Sequence, residues 1–109
     1  MTGSTCRKAH ASASTTTAGV MRVHFRWIAG EDKLRAYESS PGKLRRFCSE
    51  CGTHLVADCP AQPHVVLRVA TLDDDPGDRP TMHIWTSHAP PWLTDEGEVP
   101  RYAEWWPGR

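Results

Sequence analysis

Phe47-Cys48-Ser49-Glu50-Cys51-Gly52-Thr53-His54-Leu55 is the stretch on which the fold turns. Its Cys-x-x-Cys-Gly centre is a knuckle, because two thiols three positions apart on a tight turn can face one ion. Gly52 supplies the freedom for the positive φ that such a turn needs. Lys43 to Phe47 leads into the knuckle and Thr53 to Ala57 leaves it, so it reads as the tip of a β-hairpin. Structural zinc takes four ligands. Cys48 and Cys51 supply half of them.

Outward from the hairpin the dominant period is two. Met21, Val23, Phe25 and Trp27 alternate with Arg22, His24 and Arg26, which predicts a half-buried strand. Leu34 to Glu38 predicts a second strand, followed by the turn Ser39-Ser40-Pro41-Gly42. Val65, Leu67 and Val69 predict another, closed by the acidic loop Asp73 to Gly77, and His83 to Thr86 a last short one. Thr2 to Ala18, small and polar, suits a disordered segment, a short helix or an edge strand. The tail from Ala89 to Pro107 is broken by prolines and carries Trp92, Tyr102, Trp105 and Trp106. No repeat and no long helix emerges. Short strands at hairpin spacing predict one mainly β, antiparallel domain over residues 1–109, with little helix.

With 109 residues, the chain has room for a small core only. Thirteen basic and thirteen acidic residues cancel, which argues against nucleic acid or an anionic membrane as partner. No apolar run reaches membrane-spanning length, and the first residues lack the apolar centre of a signal peptide. The expected location is the reducing cytoplasm, where cysteine pairs point to metal or catalysis.

Each candidate has a plainer alternative. Cys48 and Cys51 read as zinc ligands, or else as a reduced pair on a hairpin tip; a redox motif would need a βαβ context that is missing here. Cys6 reads as a remnant ligand or a surface thiol. Cys59, beside Pro60, either joins Cys48, Cys51 and Cys6 (or His54) in a substitute site or is incidental. His54 reads as a structural histidine, and His83 with Trp85 as pocket lining or ordinary strand residues. Asp73 to Asp75 reads as a solvated turn, not a calcium loop. Trp92 is expected in the core, with Trp105 and Trp106 partly exposed.

Six motifs in order extend this reading: Arg26-Trp27 with Gly30-Glu31, Tyr37-Glu38-Ser39-Ser40, the knuckle through Leu55, Thr71-Leu72-Asp73-Asp74, Pro80 with His83-Ile84-Trp85, and Ala89-Pro90-x-Trp92. From about Cys6 to Trp105 the chain resembles the glutathione-dependent formaldehyde-activating family, which includes the centromere protein V domain. The resemblance implies a β-tent fold and a structural zinc, of which Cys48 and Cys51 are the later ligand pair. It also implies a second zinc beside a glutathione adduct, in a segment whose end corresponds to Cys6-Arg7-Lys8. Cys6 is thus a further metal candidate, and Cys6, Arg7 and Lys8 are the remnant catalytic candidates. The family's first strand and first cysteine cluster have no counterpart before Cys6. The implied function is a zinc-binding domain resembling carbon–sulfur lyases that act on glutathione–formaldehyde adducts, with most active-site cysteines absent. The alternative is a non-catalytic zinc-stabilised β domain that binds a protein or thiol partner. Whether two chains pair as a homodimer is left open.

Overall fold

The computed structural model describes residues 4–93 and 99–108. Thr2 and Gly3, and residues 94–98 of the proline-broken tail, lie outside the described residues. Helix α1 (Ser4–His10) precedes five strands: β1 (Thr17–Met21), β2 (Leu34–Ser40), β3 (Lys43–Cys48), β4 (His54–Asp58) and β5 (His64–Arg68). They form one antiparallel sheet in the order β1-β5-β4-β3-β2. The fold is mainly β, as the period-two patterning predicts. The small, polar opening stretch resolves into both a helix and an edge strand.

Two predicted strands differ. The alternating run from Met21 to Trp27 leaves the sheet at its start, where the β1–β5 ladder meets Pro63. The Arg22 amide still donates to the Pro63 carbonyl at 2.8 Å, but Pro63 has no N–H to return. A 3-10 turn follows at Arg22–His24, and Phe25 and Trp27 pack edge to face on each other, centroids 5.0 Å apart. The segment from His83 to Thr86 is not a strand either. Trp85 adopts φ 62 and caps a 3-10 turn at Thr86–His88, a backbone state incompatible with an extended run. Val69, predicted within β5, opens a 3-10 turn instead.

Strand alternation and register divide the sheet into two faces. Arg45, Ala57, Val66 and Arg68 share one; Leu44, Arg46, Val56, Asp58, Val65 and Leu67 share the other. The buried apolar set is small, comprising Cys6, Val56, Ala57 and Val65. Trp92, expected in this core, is 77% exposed, whereas Trp105 and Trp106 are about half exposed, as expected.

On the second face Asp58 is the electrostatic centre. Its Oδ1 accepts from the Arg22 guanidinium at 2.7 Å and its Oδ2 from Arg46 Nε at 3.3 Å. These bonds, Arg22's foremost, hold its carboxyl below the usual range.

Candidate functional site

The knuckle forms as predicted. Cys48 N–H donates to the Thr53 carbonyl at 2.9 Å and Gly52 N–H donates back to the Cys48 carbonyl at 2.8 Å. Gly52 takes φ 77, which a residue with a Cβ adopts only under strain. The tip is tied to the chain before β2 by Ser49 N–H donating to the Lys33 carbonyl at 2.8 Å, and Lys33 pairs with Glu50 at 3.4 Å. Cys51 is exposed, with Sγ 3.1 Å from Thr53 Oγ1. Hydrogen bonds from Thr53 and then Cys48 lower its thiol pKa, the direction that favours a metal-binding or nucleophilic thiolate.

Among the described residues no group of three or more His, Cys, Asp or Glu is placed to hold a metal ion. Cys6 therefore does not join Cys48 and Cys51. Nor does Cys59, which sits past the far end of β4 in a turn closed by Gln62 N–H donating to its carbonyl. Five residues of strand separate it from His54, about 16 Å along the chain.

Cys6 is not a surface thiol. It is 4% exposed beneath α1, against the first face of the sheet. Arg45 Nη2 donates to its Sγ at 3.6 Å, and Arg45 Nε donates to Ser39 Oγ at 2.8 Å. Arg45 and Arg68 are 1% and 5% exposed. The Nη1 of each is buried without a hydrogen-bond partner, as is Arg7 Nε. Burial, with Arg45 alongside, lowers the pKa of Arg68, while Cys6 opposes that shift. Two histidines complete the pocket: the His10 and His54 rings lie 4.5 Å apart, and Phe47 stacks on His54 at 6.0 Å. Burial first, then Arg68, His54 and Arg45, push His10 down to about 4. Burial, Arg45 and Arg68 lower His54 as well. Both imidazoles are thus neutral near pH 7. Arg7 is half-buried and Lys8 exposed on the same short helix. Cys6 lies in this pocket, and Arg7 and Lys8 follow it on the same helix.

A scan against family models matches residues 3–88 to the glutathione-dependent formaldehyde-activating enzyme family. The chain belongs to that family. The match covers most of the chain and ends short of Trp92, whereas the motif resemblance runs on to Trp105. No curated protein and no solved structure matches significantly.

The zinc that the family implies can be tested against these surroundings. At the knuckle the donor chemistry fits two positions of a tetrahedral site and no more. At Cys6 it does not fit: one sulfur faces guanidinium groups, which repel a dication. His10 and His54 offer neutral nitrogens, but among the described residues they do not join Cys6 in a three-ligand group.

The sequence reading missed Arg45, Arg68 and His10. The signal was present in Arg45-Arg46, since adjacent strand residues face opposite sides and one arginine had to enter each face. Arg46 found Asp58. Among the described residues Arg45 pairs with no carboxylate.

Proposed function

We propose that this family member binds glutathione or its formaldehyde adduct at the Cys6 pocket as an anion, without completing carbon–sulfur bond cleavage on its own residues. The observation behind this reading is the concentration of guanidinium donors around Cys6, with two buried Nη1 groups unpaired. Glutathione is a thiol bearing two carboxylates, and guanidinium groups bind carboxylates by paired, charge-assisted hydrogen bonds. Arg7 and Lys8 at the outer rim receive the ligand's exposed carboxylate. Arg45 and Arg68 hold negative charge further in, once α1 gives way to admit it. Neutral His10, whose buried Nε2 has no hydrogen-bond partner, offers an acceptor for a hydrogen bond from the ligand's thiol or amide N–H. No step is assigned to zinc, because the Cys6 surroundings do not fit a cation.

Calorimetric titration of the chain with glutathione and with S-hydroxymethylglutathione tests the reading. Saturable binding that weakens in Arg7→Ala/Lys8→Ala supports it. Turnover of S-hydroxymethylglutathione by the isolated chain, lost in Cys6→Ser, refutes the non-catalytic part. No binding of either compound refutes the whole. A second reading, a zinc-stabilised domain that binds a protein partner, is favoured only by the knuckle, which would draw its remaining ligands from outside the described residues.

A further inference from the structure

We propose that β1 is a dimer interface, pairing antiparallel with β1 of a second copy of this chain about a two-fold axis at Gly19. β1 is the outer strand of the sheet. Val69 N–H donates to the Thr16 carbonyl at 3.0 Å and Arg22 N–H to the Pro63 carbonyl at 2.8 Å. In an antiparallel ladder hydrogen-bonded positions alternate, so Thr16, Ala18, Val20 and Arg22 face β5. Thr17, Gly19 and Met21 direct their N–H and C=O groups outward. Among the described residues, no backbone hydrogen bond reaches these outward groups. Ala18, Gly19 and Val20 share the wall of a cavity of about 660 Å³ with Leu67, Met82 and Ile84.

The edge matches itself. With Gly19 on the axis, Gly19 pairs with its own copy and Thr17 with Met21 of the other chain, giving up to about six new backbone hydrogen bonds. Ala18 then lies opposite the second copy's Val20, an apolar cross-strand pair. Gly19, at the axis, is exposed, and nothing lies within 4 Å of the place its Cβ would occupy. Unpaired edges of this kind attract strands unless charge or proline protects them, and β1, Thr-Ala-Gly-Val-Met, carries neither.

Area points the same way. The chain exposes 8589 Å², against about 6,100 Å² for a folded monomer of its mass. Part of the excess of about 2,500 Å² belongs to tail side chains such as Trp92, Tyr102, Trp105 and Trp106, and the remainder is surface a second copy can cover. Around β1 the exposed apolar side chains are Met21 at 49%, Val23 at 84%, Met82 at 72% and Ile84 at 41%. The radius of gyration, 16.0 Å, likewise exceeds the roughly 13 Å of a packed monomer of this length.

Native mass spectrometry and amide exchange on the full chain test the proposal together. A dimer is expected, in which the Thr17, Gly19 and Met21 amides exchange about tenfold or more slower than after dilution to monomer. Ala18 and Val20, bonded to β5, stay protected throughout. Gly19→Pro removes one outward donor and no β5 bond, so it should yield a monomer with Ala18 and Val20 still protected. A monomer at about 100 μM overturns the proposal. So does a dimer whose Gly19 exchange ignores dilution, a result that decides the matter even if Gly19→Pro fails to fold.

Discussion

Replacing Arg68 by methionine separates stability from ligand binding in one experiment. Arg68 is 5% exposed, shares its pocket with Arg45, and among the described residues forms no salt bridge. A buried guanidinium in that position carries a desolvation cost of several kcal/mol, only partly offset by its interaction with Cys6. Methionine has similar length and no charge, and it packs well in irregular space. Exchanges of this type at buried charges are typically neutral or stabilising by about 1–4 kcal/mol. For a domain near 100 residues each kcal/mol moves the melting point by about 4–8 °C, so Arg68→Met should melt at or above the parent temperature. Two further readings follow from the same charge. The His10 pKa should rise from about 4, yet stay below the ordinary imidazole value, since burial is its larger cause. Glutathione affinity should fall by about tenfold to a hundredfold, the worth of one charge-assisted hydrogen bond. The assays are calorimetric melting, histidine titration by NMR and isothermal titration. A melting point lowered by 10 °C or more with His10 unmoved would show that Arg68 is paired and structural, refuting the anion pocket.

Other outcomes are as specific. Because His10 is pushed down, the unfolded chain takes its proton first as pH falls, so stability is full above about 6.5 and declines between 6.5 and 4; the slope is at most about 1.4 kcal/mol per pH unit, less with the ring half-exposed, and His10→Gln should flatten it in pH-dependent melts. Asp58 is depressed, so its contribution is present above the ordinary carboxylate pKa and is lost as pH drops through its folded value. Asp58→Asn should cost about 2–3 kcal/mol at pH 7, reduced by the partial exposure of Arg22 and Arg46, and its chemical-denaturation curve should converge with the parent's in acid. At the knuckle, Cys48→Ser should lower the melting temperature when zinc is present and leave it unchanged when zinc is chelated. An unchanged melt in zinc would show that the knuckle holds no metal.

The strands that the sequence made legible are those whose alternation coincides with a partner of equal length. Leu34 to Glu38, the two knuckle arms, and Val65 with Leu67 all find such partners and appear as β2, β3, β4 and β5. The clearest alternation in the chain, Met21 to Trp27, does not. Its neighbour runs out at Pro63, a non-local fact that no window around Trp27 contains. The knuckle was readable because its geometry is local: a glycine at the right offset and two return hydrogen bonds. The Cys6 pocket was not, since it joins residues from α1, β3, β4 and β5 across the face of a sheet. Cys6 read alone was a remnant ligand or a surface thiol, and its burial comes from the packing of its own helix against the sheet at Arg45. Arg45 and Arg46 were indistinguishable as neighbours until register sent one toward Asp58 and the other toward Cys6.

That division of the two arginines also bears on what the pocket selects. On the Asp58 face, two partly exposed guanidiniums share one carboxylate, and solvent reaches the charge left over. On the Cys6 face, two buried guanidiniums share one sulfur, with Arg7 and Lys8 carried on the helix above. The histidines are held neutral, by burial first and then by the same arginines, so they bring no negative charge to balance a cation. A dication entering here would meet repulsion from the buried guanidiniums, whereas the anionic thiol we propose as guest would meet them as donors.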